Sequence, residues 1–149
     1  MKGRFELRGQ NSKGANFELR VEVNRLVKTW SIPKGPTMDP AVQRRAIASP
    51  ESLDFGSTHI CDRGEFSCVL DFERSWEKGW LVFTLDGEKL KGQFMLERSA
   101  RNYFNWSLFK LTDVYANAEI EVEEEPDDSW ATLPLFATAA MKRGSAQLR

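Results

Sequence analysis

Between residues 16 and 23 apolar and polar side chains alternate without a break. Phe17, Leu19, Val21 and Val23 fall on one face of an extended chain, and Glu18, Arg20 and Glu22 on the other. A period of two predicts a strand buried on one side only. Phe5 and Leu7, set among Arg4, Glu6 and Arg8, predict a shorter strand ahead of it. Residues 27–32, 68–72, 80–85, 89–96 and 106–110 are further short β-rich runs. Asp86-Gly87 is suited to positive φ and predicts a tight hairpin between the runs at 80–85 and 89–96. Residues 11–14 and 99–105 predict loops between other neighbours. Helical signals are confined to two segments. Asp39-Pro40 supplies a capping side chain and a first-position proline ahead of residues 41–45, enough for one or two turns. Residues 130–141 are rich in Ala and Leu, but Pro134 places the start of any helix at or after itself. Many short strands with one or two short helical turns predict an all-β fold, a small closed or nearly closed antiparallel β-barrel.

A chain of 149 residues suits a single domain and can bury about two-thirds of its unfolded surface without disulfides or metal. Charge is unevenly spread. Residues 119–128 hold seven acids (Glu119, Glu121, Glu123, Glu124, Glu125, Asp127 and Asp128), whereas residues 1–118 carry 18 basic and 15 acidic side chains. The division predicts a barrel over residues 1–118 and an acidic linker and tail over 119–149, with Trp130 able to anchor the tail on the barrel. The acidic run reads as a solvated linker, or alternatively as a strap that competes with phosphate for a basic groove. The single histidine, His59, excludes any site needing two imidazoles from one chain and leaves a Ser-His-Asp triad only one place to form. Cys61 and Cys68 make no zinc pattern and no disulfide framework. They read as idle thiols of a reducing compartment, although a short turn would let them pair. Residues 1–8 lack the apolar core of a signal peptide, and no run approaches the roughly 18 apolar residues of a membrane span. The expectation is a cytoplasmic protein without membrane contact.

The densest chemistry lies in residues 28–40, KTWSIPKGPTMDP. Two prolines stiffen the loop, a glycine allows close backbone approach, and Lys34 stands on it as a point charge suited to phosphate. A solvated lysine on a turn is the alternative reading. Trp30, Trp76, Trp80 and Trp106 lie on or beside apolar strands and are expected in the core rather than as base-stacking platforms. Residues 73–78 (ERSWEK) read as an exposed turn, and His59 as a surface histidine.

Four stretches together resemble a known family. They are residues 28–47 (KTWSIPKGPTMDPAVQRRAI), Gly64-Glu65-Phe66, 83–92 (FTLDGEKLKG) and 106–116 (WSLFKLTDVYA); residues 5–22 match in spacing. The chain resembles, over residues 4–117, the 3′-phosphoesterase domain of bacterial and archaeal DNA ligase D, a domain also found alone. The resemblance implies a small β-barrel whose concave face, with a divalent metal such as manganese, trims 3′-terminal ribonucleotides and phosphates at DNA breaks. The family's first block runs His, five residues, His, one residue, Asp, one residue, Arg; this chain has Gln10, Asn16, Glu18 and Arg20 there. A later family His falls at Ser52, or at Glu51 with a shifted gap, and the family Tyr falls at Phe55. Arg20, Lys34 and Arg44 match the basic residues that hold phosphate.

An amide oxygen is a much poorer ligand than imidazole for manganese and cannot serve as acid or base. Glu18 projects its carboxylate one methylene farther than Asp, and Phe55 lacks the phenolic hydroxyl. The resemblance therefore implies a catalytically degenerate relative, without a cofactor. It would hold DNA or DNA/RNA 3′ ends through Arg20, Lys34 and Arg44, in non-homologous end joining and beside other end-repair proteins. One alternative is an enzyme whose oxygen-only cage of Gln10, Asn16, Glu18 and Glu51 holds Mn or Mg. Another is a protein-interaction barrel that uses the acidic tail.

Overall fold

Eight strands and one short helix follow one another in the computed structural model, which describes residues 1–10, 16–49 and 58–117. The order is β1 (Lys2–Gln10), β2 (Phe17–Val23), β3 (Leu26–Ile32), β4 (Gln43–Ser49), β5 (Thr58–Ser67), α1 (Phe72–Lys78), β6 (Trp80–Gly87), β7 (Lys91–Arg98) and β8 (Asn105–Lys110). Each half of the chain is an antiparallel meander. The two halves close on each other through β1 with β5 and β4 with β8, giving the closed barrel β1-β2-β3-β4-β8-β7-β6-β5. Closure leaves no unpaired sheet edge. The expected all-β barrel is the fold found. No helix among the described residues is long and apolar enough to cross a membrane.

Residues directly opposite in an antiparallel pair share a face. Leu7 lies opposite Leu19, Leu19 opposite Trp30, Trp30 opposite Ala48, and Ala46 opposite Trp106. That chain of pairs defines the inner face. Trp30 and Trp106 meet edge to face at 5.6 Å, and Phe66, Phe83 and Phe94 stack in sequence at 5.2 and 5.8 Å. α1 caps one end: Phe72 packs on Phe66 at 5.5 Å, and Trp76 tilts against Trp106. Cys61 and Cys68 are both buried and free, and burial pushes the Cys68 thiol up, against the pull of the N-terminal ammonium.

Several local expectations require correction. Residues 41–45 are not helical; a turn leads into β4 at Gln43. The Asp39 carboxylate accepts the Ala41 N–H at 2.9 Å, so the start signal serves an Asx turn instead. In β4 the buried Arg44, Ala46 and Ala48 alternate with exposed Gln43 and Arg45. That is a strand pattern which small and basic residues conceal. Residues 68–72 form no strand, and the segment read as a turn, 73–78, lies in α1. Asp71 caps it by accepting the Arg74 N–H, and Gly79 ends it in the left-handed conformation at φ 81°. The hairpin between β6 and β7 exists, but Asp86 and Gly87 remain in β6, with Asp86 opposite Lys91. Positive φ occurs at Gly92 instead. Trp80 is 48% exposed rather than in the core. The loop at 11–14 and the helix expected within 130–141 lie outside the described residues.

Two polar clasps brace one end of the barrel. Asp62, buried on β5, accepts the N–H groups of Arg63, Glu88, Lys89 and Leu90 at 2.7–3.0 Å and so fixes the β6–β7 turn. A Cβ on Gly87 would stand 2.5 Å from that carboxylate, which is why glycine occupies the position. Lys89 is buried beside it, and desolvation lowers its ammonium pKa despite the nearby Cys61 and Asp62. The second clasp is Lys110, whose buried Nζ meets Asp113 at 2.7 Å and donates to the carbonyls of Leu111 and Gln93. Burial pushes the Asp113 carboxyl up. The Lys110 hydrogen bond, with the N–H groups of Gln93 and Tyr115, outweighs that and holds it below the ordinary carboxylate range. A carboxyl with a depressed folded pKa stabilises above its unfolded value and loses that stabilisation as pH falls through the folded one. Melting temperature is therefore expected to fall below pH 4 with a component that Asp113→Asn removes; an unchanged acid slope in that variant would contradict the assignment.

Candidate nucleic-acid end site

The polar positions of β1, β2 and β5 point away from the core and build a charged sheet face. Glu6 lies opposite both Arg20 and Arg63, Arg4 opposite Glu22 and Glu65, and Arg8 opposite Glu18. Opposite charges thus alternate across three strands. Arg20 is the pivot: Nη2 stands 3.4 Å from Glu18 and Nη1 3.8 Å from Glu6, which Arg8 also holds at 2.9 Å. Glu18 is 1% exposed, whereas the Arg20 side chain keeps 28% of its surface open. The arginine opens onto a cleft of about 470 Å³ lined by Arg4, Arg20 and Arg63 with Glu6 and Glu22. Three guanidinium groups and two carboxylates line the cleft, with Glu18 behind Arg20 as a third carboxylate. Arginine's planar fork suits bidentate phosphate contact, and a phosphate there would compete with Glu6 and Glu22 for these guanidinium groups.

Toward β3 the same outer face becomes neutral. Thr29 lies opposite Arg20 and Ser31 opposite Glu18; the Ser31 hydroxyl donates to Asn16 Oδ1 at 3.4 Å. The structure thus brings Asn16, Glu18 and Arg20 together. Lys34 is exposed on the turn after β3, where the Gly35 N–H donates to Ile32 O at 2.8 Å and Gly35 takes φ 75°. Arg44, the second residue of β4, lies at this end of the barrel but on the inner face, opposite Leu108 and only 8% exposed. Gln10 ends β1 opposite Thr58. Glu51, Ser52 and Phe55 lie outside the described residues. His59 is half-buried on β5 opposite Gly9, not on an open surface.

Arg4, Glu6 and Arg63 are site residues that sequence reading missed. The alternation of Arg4, Glu6 and Arg8 marked an outward face, but the register that puts β5 and β2 on either side of β1 is a tertiary fact. The donor set offers one carboxylate, Glu18, and the Asn16 amide, already accepting from Ser31. Among the described residues no three His, Cys, Asp or Glu side chains come together to hold a metal. The described donors, Glu18 and Asn16, do not fit a divalent metal of the kind the resemblance implies.

No protein-family model matches the chain. Among curated proteins it is 31% identical over 145 aligned residues to the multifunctional non-homologous end joining protein LigD of Pseudomonas aeruginosa. The match takes in 85% of this chain and 17% of LigD, so the chain corresponds to a small part of that protein. Barrel and alignment agree: the chain is a LigD-related domain.

Proposed function

We propose that this domain serves DNA end repair by holding phosphate at nucleic-acid 3′ ends without cleaving it. The observation that carries the reading is the placement of Arg20, held by Glu18 and Glu6 yet open to a cleft that Arg4 and Arg63 also line. Lys34, exposed on its stiff turn, adds a further cation. Arg44, turned to the inner face of β4, lies on the other side of the sheet from this cleft. With Gln10 and Asn16 in place of imidazoles, grip survives and the machinery of hydrolysis does not.

The test is a titration of a labelled blunt duplex ending in 3′-phosphate at several salt concentrations. Affinity is expected to fall with salt at a slope near −0.9 per neutralised phosphate. A charge-assisted contact is worth roughly 1.5–3 kcal/mol, so Arg20→Ala is expected to weaken binding about tenfold or more. Lys34→Ala should weaken it less and flatten the salt slope. A primer ending in 3′-phosphate or 3′-ribonucleotide should remain uncut with manganese or magnesium. Turnover that Glu18→Ala abolishes would replace this reading with an enzyme built on an oxygen-rich site.

A further inference from the structure

Charge is distributed around the barrel in two distinct ways. On β1, β2 and β5 every outward cation faces a carboxylate. The neighbouring strands β3, β4 and β8 carry no Asp or Glu; of their cations Lys28 and Arg44 share the inner face, Lys110 is buried against Asp113, and Arg45 alone is exposed. The β7–β8 loop, residues 99–104, adds Arg101 and likewise contains no acid. The exposed cations of this flank are therefore Arg45 and Arg101, neither with an acid on its own strand or loop.

The same loop exposes two large rings. Tyr103 is 52% exposed and Phe104 49%, and they meet edge to face at 5.2 Å. Neither is loosely held. Arg98 donates to the carbonyls of Glu77 and Trp76 at the end of α1, and its guanidinium lies 4.2 Å from the centre of the Tyr103 ring. Trp76 supports Tyr103 from another side at 5.9 Å. The loop is tied by Ser99 N–H to Asn105 O and by Phe104 N–H to Asn102 Oδ1, at 2.7 and 2.9 Å. Phe104 O accepts the Ala48 N–H, and Ile47 lies opposite Asn105. Arg45, exposed on the outer face of β4 opposite Ser107, is two residues farther along. At about 3.4 Å per residue, roughly 10 Å of strand separates it from Ala48, which meets the Phe104 backbone.

We propose that Tyr103 and Phe104, with Arg45 and Arg101, form a binding surface for single-stranded nucleic acid. Bases stack on rings of any sequence, and the cations between them take the phosphates. Duplex DNA keeps its base faces occupied and does not fit this chemistry. The choice of nucleic acid over a protein rests on the end-binding reading. The surface itself is separate from the Arg20 cleft, lying beyond β3 on β4 and β8. It would take the unpaired strand leading up to a held 3′ end.

The probe is a labelled ten-nucleotide deoxythymidine strand without terminal phosphate, measured by fluorescence anisotropy with the full chain. Binding is expected, and the double substitution Tyr103→Ala with Phe104→Ala should weaken it about tenfold. Arg45→Ala should reduce the salt slope by about 0.7, the value for one single-strand phosphate. Affinity for a blunt 3′-phosphate duplex should be unchanged in these variants and reduced instead by Arg20→Ala, so the two readings fail separately. If the aromatic double variant does not fold, Arg45→Ala and Arg101→Ala decide the matter. No binding of the thymidine strand, or binding that none of these substitutions weakens, would overturn the proposal.

Discussion

Replacing Asp62 with alanine is expected to cost about 3–5 kcal/mol, because each buried donor left without an acceptor costs roughly 1–3 kcal/mol. Four backbone N–H groups converge on its two oxygens, and those of Lys89 and Leu90 are buried. Alanine would also leave a hole against Gly87, which has no side chain to fill it. Asp62→Asn separates charge from geometry. Its single amide oxygen can serve about half of the donors while its NH₂ group opposes the rest, so an intermediate loss is expected. Urea unfolding curves measure both, with the slope unchanged if the native state remains compact. An Asp62→Ala variant as stable as the parent would show that the β6–β7 turn is held by its strands alone.

Trp106→Ala is expected to be comparably severe, about 3–5 kcal/mol for truncating a buried tryptophan. The indole is 2% exposed and touches Trp30 at 5.6 Å, Trp76 at 6.2 Å and the Arg98 guanidinium at 4.6 Å. Its removal would empty the barrel where α1 caps it. The loss should therefore spread to the Arg98–Tyr103 contact, and the thymidine strand should bind less tightly even under conditions where the variant stays folded. Trp106→Phe, which keeps a ring, should retain more of the stability. A Trp106→Ala protein with an unchanged midpoint would contradict the packing described for this end.

The strands were most legible where the alternation was strong. β2 is the clearest: Phe17, Leu19, Val21 and Val23 are buried, as the period of two required. β4 was concealed because its inward positions are Arg44, Ala46 and Ala48, two of them small and one basic. Its partner β8 supplies the bulk through Trp106 and Leu108. α1 was missed although Asp71, Glu73, Lys78 and Gly79 are correct end signals, since seven residues carry too little periodicity to stand out. Trp80 illustrates the limit of composition: it sits on an apolar strand but on its outward face, where the indole N–H reaches Met95 Sδ. At the site, the spacing of Asn16, Glu18 and Arg20 was enough to place them together. That Glu6 and Arg4 would join Arg20 depended on the β1–β2 register, and Arg63 on pairing between strands more than 40 residues apart in the chain. Arg44 shows the converse. Its place in the motif suggested a surface cation, and the parity of β4 turns it inward.

The most direct test compares two duplexes, identical except for a 3′-phosphate or a 3′-hydroxyl, in buffer containing a chelator and then in buffer with manganese. The expected result is tighter binding of the phosphate end under both conditions, lost with Arg20→Ala and indifferent to the metal. Equal affinity for the two ends, or a preference that appears only with manganese, would contradict a grip that needs no metal.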